Sequence, residues 1–414
     1  MAISILQQPE LNVFSQSPII CAVSESNAEA YTSSSFQIVG EFRYWQGNQF
    51  SSSVDVAYTL NKFPNNSGSA IFDFSRIAAS LFTTPRAAES SSVYWAKGTF
   101  YHQYKESPSG SFITGSKFAT GEFAIFDGYQ KFQQEIQTST NDGIISSSEF
   151  WPIMTDGPTS QSYFRENYGR MSIWRGTQQS TLKEPIALIF SSSVQGEDQS
   201  VVLHLTASEY SNEMVATFPI SPLEPDWPLD SNPDNIGNFE IFAIKGPATN
   251  YDGTNRITER LHFDLECTKK YPNVRVKWKN RFGQWDYFNF NLVSTEQFNT
   301  QRSKYQPQIG SWDSRTLTYE DYESAIQNYI ADETLKITVN TDYIDEGYNE
   351  AFKQLMLSDE IYWVYEEGSE QDNTEKLKPI AIDDTSFNLK TGVVNKLIQY
   401  TFTFTQGQGY KLIF

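Results

Sequence analysis

Val274-Arg275-Val276-Lys277-Trp278-Lys279-Asn280-Arg281-Phe282-Gly283-Gln284-Trp285-Asp286-Tyr287-Phe288-Asn289-Phe290 is the stretch on which the fold turns. Val274, Val276 and Trp278 alternate with Arg275, Lys277 and Lys279, the period of a strand that turns one face to a core. Asn280 to Gly283 supply turn chemistry, and Trp285 and Tyr287 open a second alternating run. The direct reading is a one-sided β-hairpin. The same grammar recurs along the chain, so the sequence speaks first about architecture.

A chain of 414 residues exceeds one compact core and predicts two to four domains. Hydrophobic residues make up 39% and aromatics 15%, which excludes global disorder and favours sheets, where rings fit a pleated, half-buried surface. The expected class is mainly β: antiparallel β-sandwiches, with a carboxy-terminal β domain carrying one amphipathic helix. A formal net charge of -19 repels nucleic-acid phosphates and anionic lipid, so neither is an expected partner. Cys21 and Cys267 lie far apart, which gives no disulfide framework and suggests two buried small hydrophobes. The start Met1-Ala2-Ile3-Ser4-Ile5-Leu6 lacks the basic, then apolar, pattern of a secretory signal, and no run approaches a membrane span. Synthesis in a cytoplasm is expected.

Residues 1–135 read as an immunoglobulin-like or fibronectin-like sandwich, with strands at 19–23, 36–45, 54–60, 70–74, 93–104 and 118–126. A short helical insert is expected over 76–82. Residues 136–270 read as a second β-sandwich domain, with strands at 170–174, 186–190, 201–205, 214–218, 239–244 and 261–267. Its proline-punctuated loop, Pro219 to Pro233, cannot belong to a central sheet. Residues 271–414 start with the aromatic hairpin, followed by strands at 334–339, 361–365, 379–382 and 397–404 and a charged loop over 366–377. Between the first two of these strands, Ile344, Tyr348, Phe352, Leu355 and Met356 recur at helical spacing and predict a helix over 343–357. A sheet covered on one face by that helix satisfies the order.

Chemical constellations are sparse. His102, His204 and His262 each fall inside an expected strand and share no metal-ligand spacing. No nucleophile elbow, phosphate loop or dinucleotide fingerprint occurs. Asp264 with Glu266, and Asp383 with Asp384, are nominal carboxylate pairs of the kind an acidic chain produces by composition. Asp230, Asn232 and Asp234 match the first ligand positions of a calcium loop running to Glu240, but the loop lacks the central glycine and its Glu falls one residue short. A solvated turn is the expectation there, with a weak calcium site as the alternative. Trp45, Trp285 and Trp312 lie near turns where sugar-stacking platforms occur, although core packing is the simpler use. No catalytic residue, cofactor or metal site is assigned.

In its carboxy-terminal third the chain resembles bacteriophage virion structural proteins of the tail and baseplate or distal-tail-like kind, and the resemblance leaves open a distal-tail ring, an adaptor under the head or a fibre-anchoring component. The residues that carry the resemblance are Trp278 to Phe288, Thr338-Val339-Asn340-Thr341-Asp342-Tyr343-Ile344, and Leu397-Ile398-Gln399-Tyr400-Thr401-Phe402-Thr403-Phe404. Ser67-Gly68-Ser69-Ala70-Ile71-Phe72-Asp73-Phe74-Ser75 looks like the amino-terminal counterpart. The resemblance implies a symmetric ring of β domains in a virion, contacting copies of itself and other virion proteins through sheet edges and aromatic surfaces, with no small-molecule substrate. Trp278, Phe282, Trp285, Tyr287, Tyr348 and Phe352 are the expected interface residues, with core packing as the alternative. A carbohydrate-binding adhesin and a β-rich polysaccharide hydrolase are the alternative readings.

Overall fold

The computed structural model describes residues 3–9, 12–26, 35–46, 56–82, 93–130, 153–174, 186–194, 197–204, 215–224, 226–229, 235–245, 256–266, 271–307, 310–320, 326–366, 376–392 and 398–406. The chain is mainly β: the described residues are 56% strand and 8% helix, so sheets carry the packing and helices only cover it. The strands form successive sandwich-like units, mostly with antiparallel pairing.

In the amino-terminal unit a sheet of Ile3–Gln7, Ile20–Glu25 and Ser69–Asp73 faces a larger one. The larger sheet runs Asn12–Phe14, Phe123–Phe126, Val93–Tyr104, Gln37–Gln46, Val56–Lys62. Cys21, Val23 and Phe72 from the first meet Ile38, Phe42 and Phe100 from the second in one buried cluster. The strand expected over 118–126 is divided into Phe118–Ala119 and Phe123–Phe126. Between these pieces Thr120 takes up both hydrogen bonds of Gly98: its N–H donates to the Gly98 carbonyl and its Oγ1 accepts from the Gly98 amide. The helical insert comprises helix α1, Ser75–Ala79, and a single 3-10 turn, Ser80–Phe82. The Asp73 carboxylate fixes its start by accepting from the amides of Ser75 and Ile19.

The middle unit has a five-stranded sheet in the order Ser160–Phe164, Leu261–Glu266, Ile236–Lys245, Ile186–Val194, Glu197–His204. A separate pair, Arg170–Trp174 with Val215–Pro219, packs onto it around Leu188, Phe190, Phe218, Phe239 and Phe263. Ser160–Phe164 pairs parallel with Leu261–Glu266, and Asn12–Phe14 pairs parallel with Phe123–Phe126, so the sheets are not purely antiparallel. Pro219 ends the strand Val215–Pro219 opposite Arg170, and the described residues that follow it in the proline-punctuated loop, 220–224 and 226–229, lie outside the ladders. They pack as a cover, with the Trp227 ring edge-on to Phe190 and Phe239.

The carboxy-terminal sheet runs Trp285–Phe290, Val274–Lys279, Ile361–Glu366, Lys376–Ile382, Thr401–Gln406, Gln327–Asn340, Thr295–Tyr305. Helix α2, Asn349–Leu357, covers one face, burying Ala351, Phe352 and Leu355 against Val276, Trp278, Phe290 and Phe402. The expected helix over 343–357 starts later than its apolar spacing suggests. Asp345 is extended and accepts from the Gly347 amide, so a 3-10 turn at Glu346–Tyr348 leads into α2. Glu366 and Lys376 pair with each other as strand residues, which shortens the loop expected over 366–377 from both ends.

Two sequence expectations are corrected. The hairpin is not one-sided, because every residue of Val274–Lys279 is buried, Arg275 and Lys277 at 1% exposure. The middle and amino-terminal units close over the cationic face. The strand Thr295–Tyr305 was not expected at all. Its composition, Thr-Glu-Gln-Phe-Asn-Thr-Gln-Arg-Ser-Lys-Tyr, lacks apolar alternation because neither face meets a core.

Candidate functional site

The turn Asn280 to Gly283 is where the three units meet. Asn280 folds the turn by accepting from the amides of Phe282 and Gln284, each at 3.0 Å, and its side-chain amide donates to the Met154 carbonyl at 2.9 Å. Gly283 sits at φ 73°, and a Cβ there would lie 1.9 Å from the Asp127 carbonyl oxygen. A Cβ on Gly128 would likewise lie 2.0 Å from the Arg281 carbonyl oxygen. Two glycines thus let two backbones touch, and the Tyr129 amide donates to that Arg281 carbonyl at 2.9 Å.

Side chains fasten the contact on every side. Arg281 grips Asp156 through Nε and Nη2, while its amide donates to Gln354 of α2 at 3.0 Å. Gln354 closes the circuit by donating to Asp156 at 2.6 Å. Lys279 reaches Asp127 at 3.3 Å, Asp359 at 3.0 Å and Glu360 at 3.3 Å. Burial disfavours its charge, and the three carboxylates outweigh burial, so its pKa is raised. Ser172 donates to Gln284 at 2.7 Å, and Arg275 donates to the Tyr163 hydroxyl. Below the turn, Phe282 enters a cluster with Phe14, Trp45, Trp95 and Phe126 of the amino-terminal unit and Met154, Trp174 and Val215 beyond it.

The opposite edge of the carboxy-terminal sheet faces solvent. Among the described residues Thr295–Tyr305 pairs only with Gln327–Asn340 and ends the sheet. Beyond it a small hairpin, Ser311–Asp313 with Thr316–Thr318, pairs Trp312 with Leu317 and is exposed throughout. Phe298 is 62% exposed, Trp312 69% and Tyr319 64%, with Tyr305, Leu317 and Ile326 also open. Scattered exposed apolar residues are ordinary, and these gather in one arm of the sequence, residues 298–326.

The six residues expected at an interface have different placements. Trp278, Phe282 and Phe352 are buried inside the chain, so their contact area is spent on its own units, and for them the interface expectation is corrected. Trp285 and Tyr287 are half-buried, flanking the Lys277 ammonium at 5.2 and 5.1 Å from their ring centroids. Tyr348 is partly covered, edge-on to Phe288 and stacked beside Phe352. The contact-prone aromatics instead lie on the arm, where only Trp312 had drawn notice. The missed signal was a long polar stretch interrupted by isolated rings.

Of the other candidates, Trp45 is a core residue. His102 lies buried 3.2 Å from Glu25, burial lowering its pKa against the pull of that carboxylate. His262 lies on an exposed sheet face between Asp264 and Glu240, and His204 closes the strand Glu197–His204. Asp383 is held by Lys336 and Thr405, whose hydrogen bonds lower its pKa, while Asp384 accepts from the Thr403 amide. These carboxylates serve the sheet. Asp230, Asn232 and Asp234 of the calcium-like loop, and Cys267, lie outside the described residues. Among the described residues no cluster of His, Cys, Asp and Glu is arranged to hold a metal, and no helix is long and apolar enough to cross a membrane.

No family model matches the chain, and neither does any curated protein. Among solved structures, the FN1–FN3 domains of chicken CNTN1 are similar over 64% of this chain and 69% of that one, at 8% identity and a TM-score of 0.14. A score so low carries no argument about role.

Proposed function

We propose that the chain is a structural subunit of a phage particle, in the tail, baseplate or head-to-tail region, that forms a ring and docks other virion proteins. The reading rests on the resemblance of its turn and aromatic patterns, and the observation that carries it is the exposed arm. An edge strand with unpaired backbone groups offers main-chain hydrogen bonds to a partner strand, and exposed rings beside it add contact area. Full burial of one such ring is worth about 1.5–3 kcal/mol, so several of them in a repeated contact hold a closed assembly. The outer half of the edge is blunted by a register shift between Ser303 and Lys304 and by the charges of Arg302 and Lys304. That leaves the regular stretch around Phe298 as the pairing edge.

Electron microscopy of the purified chain tests this reading: closed rings are expected, and a persistent monomer at high concentration overturns ring formation. A carbohydrate-binding role is the second reading, favoured by the open ring of Trp312 at the arm's tip. Saturable binding on an oligosaccharide array, abolished in Trp312→Ala without unfolding, would select it.

A further inference from the structure

We propose that Asp286 is a pH-operated latch of the three-unit junction: as a neutral carboxyl it leaves the Asn280 to Gly283 turn seated among the units, and on ionising it loosens that seat. Asp286 stands directly opposite Trp278 in the hairpin ladder, on the strand face that α2 covers. Its residue is 6% exposed, and its Oδ2 has no hydrogen-bond partner among the described residues. Thr155 and Asn280 are the neutral polar groups that favour the charged form of the carboxyl, and they come from different sides of the junction. Asn280 at the same time shapes the turn and holds Met154, so any movement of Asp286 is felt by the contact itself.

The charges around Asp286 do not compensate its ionisation. Arg281, on its own hairpin, spends Nε and Nη2 on Asp156 and so offsets only part of the charge on Asp286, to which Asp156 presents a like charge. Gln354 of α2 is neutral and is also committed to Asp156. Tyr129 shares these neighbours, with Glu350 and Asp359 adding negative charge, and burial with that charge pushes its hydroxyl up to about 12. Lys279, the other buried cation at the turn, is held by Asp127, Asp359 and Glu360. An ionised Asp286 therefore gains relief chiefly by admitting water, which requires the units to part.

The titration has the matching sign. Burial, reinforced by Asp156 and opposed by Thr155, Asn280 and Arg281, raises Asp286 from 3.8 to about 7. The folded chain thus binds a proton that the unfolded chain releases, and this contribution to stability falls as pH rises from the ordinary aspartate range through about 7.

Hydrogen exchange on the 414-residue chain, corrected for intrinsic rates, tests the latch at about pH 5 and about pH 9. The amides of Tyr129, Phe282 and Gln284 should lose protection by roughly tenfold or more at the higher pH, while those of Ile189 and Phe242 in the middle sheet hold theirs. In Asp286→Asn the junction amides should keep one level of protection at both values. Equal junction protection at both pH values in the unmodified chain overturns the latch, whether or not the variant folds. So does an undiminished loss in Asp286→Asn.

Discussion

Two hairpins of the carboxy-terminal unit reverse the ordinary relation between polarity and burial. The turn Asn280 to Gly283, rich in polar and charged groups, is buried at the meeting of three units, with Asn280 at 2% and Arg281 at 7% exposure. The arm hairpin around Asp313 and Thr316 carries Trp312 and Leu317 and is open to solvent. The difference lies in what each tip can find nearby. The first meets complementary groups within the chain, namely Met154 and Asp156 on one side and Asp127 and Tyr129 on another. The second meets none among the described residues and stays open to solvent.

The comparison can be broken at the buried tip. Gly283→Ala puts a Cβ against the Asp127 carbonyl at a positive φ, and should cost about 3 kcal/mol or more, read as a lower urea midpoint. Gly128→Ala should behave alike, since the same two backbones separate.

Arg281→Met strands the mostly buried Asp156 carboxylate and should cost roughly 3 kcal/mol in the same denaturation experiment. A loss near zero would mean that the polar contacts at the junction are incidental to the apolar cluster beneath them.

Lys279→Met should cost about 2 kcal/mol near neutral pH, with the same sign in pH as Asp286 but in an alkaline window. The Lys279 pKa is raised on folding, so its contribution is present below its ordinary value of 10.5 and is lost as pH climbs through the folded value. Stability curves of the chain and the variant should therefore converge at alkaline pH.

The smallest effect on stability belongs to the arm. Trp312→Ser should change the unfolding free energy from urea denaturation by no more than about 0.5 kcal/mol, because the ring is 69% exposed. Its effect should appear instead in assembly, as fewer closed rings at equal concentration. A large loss of stability would make the arm part of the fold.

Much of the fold was legible locally. The strands Val93–Tyr104 and Arg170–Trp174 follow from runs whose alternation and flanking turns match a half-buried sheet, and α2 follows from the spacing of Tyr348, Phe352 and Leu355. The site was less legible. Arg275, Lys277 and Lys279 read as a solvated face because alternation reports only that two faces differ. It cannot report that Tyr163, Tyr287, Asp127 and Glu360 arrive to bury the charged one. Thr295–Tyr305 escaped notice for the converse reason, since a strand that buries neither face carries no apolar period.

The sequence by itself determined the β character, the turn at Asn280 to Gly283 and the single amphipathic helix of the last unit, because backbone preference and side-chain period act within a few residues. Only the tertiary structure decided which side of the hairpin is inside, which carboxylates meet Lys279 and Arg281, and which rings remain open on the arm. Those outcomes depend on segments more than a hundred residues apart meeting at one place, as Asp127 and Lys279 do, and short-range pattern holds no record of such meetings.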